Sequence, residues 1–109
     1  MMKILLLLFA GHALCDFPLQ GEFLATRKNP FLADPNLRAY GWKKAMSAHC
    51  LIHAGMVTLI TGSVFLGGLE FLVHFATDYG KCRDWIDSDL DQAIHYVSKI
   101  LWAILAVSL

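Results

Sequence analysis

The sequence has few charged side chains for its length. Of 109 residues, 17% are Asp, Glu, Lys or Arg, whereas soluble domains carry about 25%. Basic and acidic residues balance, so the formal net charge is zero with neutral histidines. No basic run, aromatic stacking platform or glycine-rich phosphate loop occurs. Nucleic acid is therefore not an expected partner.

Cysteine is scarce and poorly spaced for a structural role. Cys15, Cys50 and Cys82 lie far apart, form no C-x-x-C pair and are odd in number. This pattern argues against a disulfide framework and against a thiolate zinc site. We expect three reduced cysteines that act as small packing residues.

Period-two alternation is missing from the apolar runs, so β-strands are not expected. Apolar side chains are in excess instead, at 57% of the chain against a usual share of about 45–50%. They form segments long enough for short or tilted membrane spans. The predicted fold class is all-α, a four-helix transmembrane bundle with a long loop between its first two helices. It occupies residues 1–109 as a single integral membrane domain, with spans at approximately 3–20, 44–62, 64–81 and 89–109.

The N-terminal segment has a rival interpretation. Lys3 followed by ILLLLFAGHALC resembles a signal peptide that ends in a lipid-attachment cysteine. However, Leu14 stands before Cys15, where a lipobox requires a small residue, and no A-x-A-like site follows. We interpret the segment as a retained first span, kinked near its end by Pro18.

Basic residues predict the orientation of the bundle. They concentrate in the loop between the first two predicted spans and in the loop between the last two, whereas the N-terminus carries only Lys3. By the positive-inside rule, both loops face the cytoplasm and both termini face the opposite side of the membrane. The basic loop residues are Arg27, Lys28, Arg38, Lys43, Lys44, Lys81 and Arg83.

Each predicted span carries two ionisable residues four positions apart, and these pairs use every histidine in the protein. Residues at i and i+4 share one face of a helix. Because the helices alternate in direction, all the pairs fall in the cytoplasmic half of the bundle. Ionisable groups at membrane depth are costly unless they are paired or metal-bound, so we expect them to converge. The pairs are His12 with Asp16, His49 with His53, His74 with Asp78, and Asp91 with His95.

Imidazoles and carboxylates together suit zinc, manganese, iron or cobalt. All eight paired residues are predicted metal ligands, more than one tetrahedral ion uses. We therefore expect one or two divalent ions, with zinc or manganese favoured. Asp16 and Glu70 are the candidate general bases of a catalytic site. The candidate substrate-binding residues are Lys28 and Lys81, which could hold a phosphate, together with Gln20 and Gln92.

The order of these motifs resembles a family of short integral membrane proteins of bacteria and their phages, the domain of unknown function DUF3307. Its pattern is a histidine before D-F-x-x-Q, an asparagine–lysine element, H-x-x-x-H, H-x-x-x-D with a nearby lysine, and D-Q-x-x-H. The corresponding residues here are His12, Asp16, Phe17, Gln20, Lys28 and Asn29 in inverted order, His49, His53, His74, Asp78, Lys81, Asp91, Gln92 and His95. The resemblance implies a multi-pass inner-membrane protein. Loose similarity to other histidine-rich membrane hydrolases suggests a metal-dependent hydrolase.

Two functions are consistent with these patterns. The first is a metal-dependent hydrolase that acts at headgroup level on a phosphorylated or lipidic substrate. The second is a non-enzymatic small membrane effector, phage-type, holin-like or host-protein-binding. In that case the His/Asp cluster is a structural hydrogen-bond network or a proton or ion path. The expected partners are the lipid bilayer and either a second copy of the chain or another membrane protein.

Overall fold

The computed structural model describes residues 1–32, 34 and 41–108, and within them it contains five helices and no strand. This confirms the all-α prediction. Arg38, from the predicted cytoplasmic loop, and Leu109, at the end of the predicted fourth span, lie outside the described residues. The helices are α1 (Met2–Asp16), α2 (Gly21–Arg27), α3 (Trp42–Thr61), α4 (Val64–Cys82) and α5 (Ser88–Ser108).

The first helix ends at Asp16, four residues before the predicted end at residue 20. Pro18 explains the early end, because it has no N–H to donate and disfavours the helical conformation of the residue before it. Phe17 accordingly has φ −111° and ψ −81°. After a turn, α2 begins at Gly21, whose φ of 64° suits glycine, and runs at 80° to α1. Because of this break, α2 starts beside the end of α1 that carries Asp16 and runs nearly perpendicular to α1.

Helices α3 and α4 form the hairpin that their short connection predicts. Gly62 ends α3 in the left-handed conformation, and its N–H donates to the Thr58 carbonyl oxygen over 2.8 Å. Ser63 then caps α4, because its Oγ accepts a hydrogen bond from the Leu66 N–H over 3.1 Å. Two residues are therefore enough to reverse the chain.

The interior of the bundle is apolar at one end and polar at the other. The apolar cluster contains Leu8, Val57, Leu66, Trp102 and Ala103, drawn from all four long helices. Each of these helices also has a buried ionisable side chain, which lies about one turn from the apolar-cluster residue, towards the other end of the bundle. The outer surface, in contrast, exposes large apolar side chains such as Leu59 at 80% and Val64 at 78%.

By length and hydropathy, one described helix qualifies as a membrane span, namely α5 (Ser88–Ser108). The bent pair of α1 and α2 also qualifies if the two helices are counted as one broken span. Helix α1 alone has only 15 residues. Helix α3 carries two lysines and two histidines among its apolar residues, and α4 carries a glutamate, a histidine, an aspartate and a lysine. These polar side chains lower the mean hydropathy of the predicted second and third spans, so by this criterion the described residues contain one span, or two if the bent pair is counted.

Gly67 lets α3 and α4 approach closely. A Cβ at this position would collide with the Thr58 side chain and lie 2.8 Å from the Ala54 carbonyl oxygen, whereas a Cβ on neighbouring Gly68 would meet nothing within 4 Å. We expect Gly67→Ala to lower the free energy of unfolding by about 1–3 kcal/mol through overpacking. Gly68→Ala is the matched control and should raise it by about 0.5–1 kcal/mol, because alanine favours the helix. Equilibrium unfolding of the purified protein measures both, and equal effects would contradict the close approach.

Candidate metal centre

Four helices bring the paired residues of the sequence into two adjacent layers. Because the members of each pair are one helical turn apart, each of α1, α3, α4 and α5 contributes one side chain to each layer. The carboxylate layer contains three aspartates, Asp16, Asp78 and Asp91, together with His49. The histidine layer contains His12, His53, His74 and His95. All eight side chains are buried, the most exposed being Asp16 at 8%. The structure therefore brings together every predicted metal ligand.

In the histidine layer, each imidazole ring lies next to two others, so that the four rings form a closed cycle of contacts. Ring centroids are 5.3 Å apart for His12 and His53, 3.7 Å for His53 and His74, 4.1 Å for His74 and His95, and 5.0 Å for His95 and His12. The two shortest contacts are stacked. Nε2 of each of the four rings lies within 3.5 Å of an aspartate oxygen in the carboxylate layer.

Glu70 fixes the orientation of one of these rings. Its Oε2 accepts a hydrogen bond from Nδ1 of His74 over 3.0 Å, so the lone pair of His74 is on Nε2, facing the carboxylate layer. The other oxygen, Oε1, accepts hydrogen bonds from Lys99 Nζ over 2.6 Å and from Trp102 Nε1 over 2.9 Å. Both oxygens of Glu70 thus have partners away from the carboxylate layer. These contacts position Glu70 against His74, and its role as a general base stays a prediction.

Lys99 and Trp102 are the site residues that the sequence analysis misses. Lys99 is 1% exposed and neutralises Glu70 within the bundle. A signal was present in the sequence, because Lys99 is a charged residue one turn after His95 in an otherwise apolar segment. Its partner could not be deduced from helical spacing, since Glu70 lies on a different helix.

His49 has too many acceptors for its one available N–H. Its Nε2 lies 3.2 Å from Asp16 Oδ1, 3.1 Å from Asp78 Oδ2 and 3.1 Å from His74 Nε2. A neutral imidazole can donate from Nε2 to only one of these atoms. Asp16, Asp78 and Asp91 meet in the cluster, and among them Asp78 pairs with the ammonium of Lys28. A buried group of this composition calls for additional positive charge.

The donor spacing also matches that of a bound divalent ion. Zinc ligands at about 2.0–2.2 Å from the metal in a tetrahedron are about 3.3–3.6 Å from one another. The donor atoms of Asp16, His49 and His74 are 3.1 to 3.8 Å apart, and His53 Nε2 lies 3.2 Å from Asp16 Oδ1. One ligand atom from each of these four residues falls within 4.8 Å of all the others. These buried His and Asp groups could therefore hold a metal ion.

The remaining predicted ligands lie on the other side of the same aspartates. His95 Nε2 is 3.0 Å from Asp78 Oδ1 and 3.3 Å from Asp91 Oδ1, and His12 Nε2 is 3.5 Å from Asp16 Oδ2. Gln92 joins this side: its Oε1 is 3.0 Å from His12 Nε2, and its Nε2 donates to Asp16 Oδ2 over 2.9 Å. Gln92, predicted to bind substrate, therefore lies inside the polar cluster.

The break after α1 places Lys28 beside the cluster. Its Nζ donates to Asp78 Oδ2 over 2.7 Å and to Gln20 Oε1. Gln20 is held in turn by a hydrogen bond from its Nε2 to the Asp16 carbonyl oxygen over 3.0 Å. Lys28 and Gln20, both predicted to bind substrate, thus contact residues at the edge of the carboxylate layer.

A cavity of about 300 Å³ adjoins the cluster at this end of the bundle. It brings together Lys28 and Lys81, the two lysines predicted to hold a phosphate, and Asp78 connects it to the carboxylate layer. Its charged lining combines the ammonium groups of Lys28 and Lys81 with the carboxylates of Asp78 and Asp84, and Lys28 is paired with Asp78 over 2.7 Å. The cavity is lined by Ala25, Lys28, Asn29, Phe31, Asp78, Lys81, Cys82 and Asp84.

Comparison with known proteins assigns no family to the chain. No protein-family model, curated protein or solved structure matches it. Its function is therefore inferred from the His/Asp cluster and the cavity beside it.

Proposed function

We propose that this protein is a multi-pass inner-membrane protein, with α1, α3, α4 and α5 as a four-helix transmembrane bundle. It holds zinc or manganese at the His/Asp cluster, on the cytoplasmic side of the membrane, and hydrolyses a phosphorylated or lipidic substrate. The convergence of eight buried ionisable side chains from four helices carries this proposal. Membership of the DUF3307 family is part of the same proposal and rests on the motif order.

The distribution of polar and apolar side chains supports the membrane location. Ionisable groups fill one half of the interior, whereas Leu6, Leu59, Val64 and Leu72 on the outer surface are at least 65% exposed. In water, such a surface would leave much apolar area unburied. In a bilayer it is the expected arrangement, because ionisable residues of membrane helices face the bundle interior.

The positions of the basic residues support the cytoplasmic orientation. Arg27 and Lys28 fall between the end of α1 and the start of α3, Lys43 and Lys44 lie in the first turn of α3, and Lys81 falls at the end of α4. These are the ends of the helices that also carry the carboxylate layer. Excess lysine and arginine at one end marks the cytoplasmic side, where anionic headgroups are available.

The site offers separate groups for binding and for proton transfer. A divalent ion, when bound, supplies Lewis acidity and activates water at neutral pH. Lys28 and Lys81 bind the anionic group of the substrate in the cavity, and Asp78 lies between that cavity and the cluster. In a site with one ion, which leaves one oxygen of Asp16 free of the metal, Asp16 is the candidate general base, since the oxygens of Glu70 accept hydrogen bonds from His74, Lys99 and Trp102.

The apolar cluster supports a metal site over an ion path. A proton or ion path must cross the whole bundle, but the polar cluster is followed by buried Leu8, Val57 and Leu66. A non-enzymatic effector would show ion flux in metal-free proteoliposomes, or binding to another membrane protein without hydrolysis. We expect neither behaviour.

Elemental analysis tests the metal directly. Protein purified in detergent without chelators should contain at least one zinc or manganese ion per chain, because buried imidazole and carboxylate donors from different helices converge there. Protein that stays metal-free after incubation with Zn²⁺ or Mn²⁺ would refute the proposed function.

Hydrolysis assays test the substrate class. We expect metal-dependent release of phosphate from p-nitrophenyl phosphate or from phosphatidic acid in mixed micelles. Lys81→Met should raise KM roughly tenfold, about 1.4 kcal/mol of lost binding, with a smaller effect on kcat. The matched control Lys44→Met removes an exposed lysine outside the cavity and should leave KM unchanged. Equal KM values for the two variants would remove Lys81 from the substrate site.

A further inference from the structure

We propose that the cluster is a two-ion centre in which the carboxylates of Asp16 and Asp78 bridge the two ions. This inference rests on the metal-binding part of the proposed function and extends it from one divalent ion to two. Each ion has its own set of imidazoles, and the two aspartates are shared.

Asp16 divides its oxygens between two sets of donors. Oδ1 lies 3.2 Å from His49 Nε2 and 3.2 Å from His53 Nε2, whereas Oδ2 lies 3.5 Å from His12 Nε2. Asp16 also belongs to both potential metal-binding groups that include a carboxylate, one with His49, His53 and His74 and one with Asp91 and His95. One side chain therefore faces two places where an ion could sit.

Asp78 repeats this division in the same layer. Its Oδ2 lies 3.1 Å from His49 Nε2 and 3.4 Å from His74 Nε2, whereas its Oδ1 lies 3.0 Å from His95 Nε2. A carboxylate that uses one oxygen for each of two ions holds them close together, and two-metal sites place their ions about 3.5–4 Å apart. Two such carboxylates in one layer can bridge a pair of ions.

The second half of the proposed centre contains a buried carboxylate oxygen that has no hydrogen-bond partner. Asp91 is 2% exposed, and its Oδ1 accepts no hydrogen bond although it lies 3.3 Å from His95 Nε2. The other oxygen, Oδ2, accepts a hydrogen bond from Gln92 Nε2 over 3.2 Å, which orients the carboxylate. A buried carboxylate oxygen without a donor is costly, and a second ion would satisfy it.

Ligand numbers agree with this division. The first half has His49, His53 and His74, and the second has His12, Asp91 and His95; a ligand atom of His74 also lies within 4.8 Å of ligand atoms of His12 and His95, so this ring stands between the halves. With Asp16 and Asp78 shared, each ion has three ligands of its own and two bridging carboxylates. Zinc and manganese both accept mixed nitrogen and oxygen sets, and helical bundles build dinuclear centres from inward-facing carboxylates and histidines.

Metal stoichiometry tests the inference. Protein reconstituted with Zn²⁺ in detergent and freed of excess metal by gel filtration should contain two zinc ions per chain by mass spectrometry. Removing a ligand of one half, with His53→Ala or Asp91→Asn, should lower the content to one. Asp89→Asn is the matched control, because Asp89 is an exposed carboxylate on the same helix as Asp91, and it should keep two ions.

The outcomes separate this inference from the proposed function. One zinc ion per chain in the wild type overturns the two-ion centre and leaves the metal site intact, whereas none refutes both. A second measurement avoids the variants: wild-type protein loaded with Mn²⁺ should give the electron paramagnetic resonance spectrum of an exchange-coupled pair. The six-line spectrum of isolated Mn²⁺ would also overturn the inference.

Discussion

Replacing His74 with alanine is expected to weaken zinc binding by more than 100-fold. His74 is fully buried, and its Nε2 lies within 3.8 Å of His49, Asp16 and Asp78 donors. Loss of an outer partner of a metal site costs about 10–100-fold in affinity, and loss of a ligand should exceed that range. Competition with a fluorescent zinc chelator measures the change.

Two further substitutions on the same helix provide an intermediate loss of zinc affinity and a control without loss. Glu70→Gln removes the carboxylate that orients His74 but leaves the ring in place, so we expect a loss of about 10–100-fold. Leu72→Ala changes a side chain that is 65% exposed on the same helix and should not alter zinc affinity. If His74→Ala bound zinc as tightly as Leu72→Ala, His74 would not be a ligand.

Glu70→Gln is also expected to cost about 3–5 kcal/mol of folding stability, because it leaves Lys99 buried without a counter-charge. Glu70 is fully buried and Lys99 is 1% exposed, with 2.6 Å between their charged atoms. Glutamine retains the volume of the side chain, so packing does not account for the loss. Equilibrium unfolding of the metal-free protein isolates this effect from metal binding.

A double-mutant cycle tests the pairing itself. Lys99→Met removes the buried ammonium and retains most of the apolar length. Lys99→Met combined with Glu70→Gln should therefore recover most of the lost stability, since an uncharged pair can replace a buried ion pair. Additive losses in the double variant would show that Glu70 and Lys99 act independently.

Helical periodicity makes much of the site predictable. The residues four apart on each predicted span indicate which face of each helix is polar, and their depths indicate that the polar faces meet. The structure places all eight side chains in two adjacent layers and adds Gln92 to them. The sequence does not reveal which oxygen of Asp16 faces which histidine, because that depends on how the helices are rotated against one another.

Other features depend on contacts between remote residues. Lys28 reaches Asp78 across 50 positions of the chain, and it does so because the break at Phe17 and Pro18 turns α2 back over the bundle. The cavity with both Lys28 and Lys81 forms for the same reason. Glu70 shows the same limit: its position on the polar face of α4 is predictable, but its pairing with Lys99 and Trp102 is not.

The sequence by itself determined that the protein is all-α and that each long helix has one face bearing histidine or aspartate at four-residue spacing. Both are local properties, set by the 3.6-residue turn of the helix and by the run of apolar side chains. Only the tertiary structure decided that four such faces form one buried centre, that Asp16 and Asp78 lie between two sets of imidazoles, and that Lys28 closes one side. These are distances between residues far apart in the chain, and helix packing determines them.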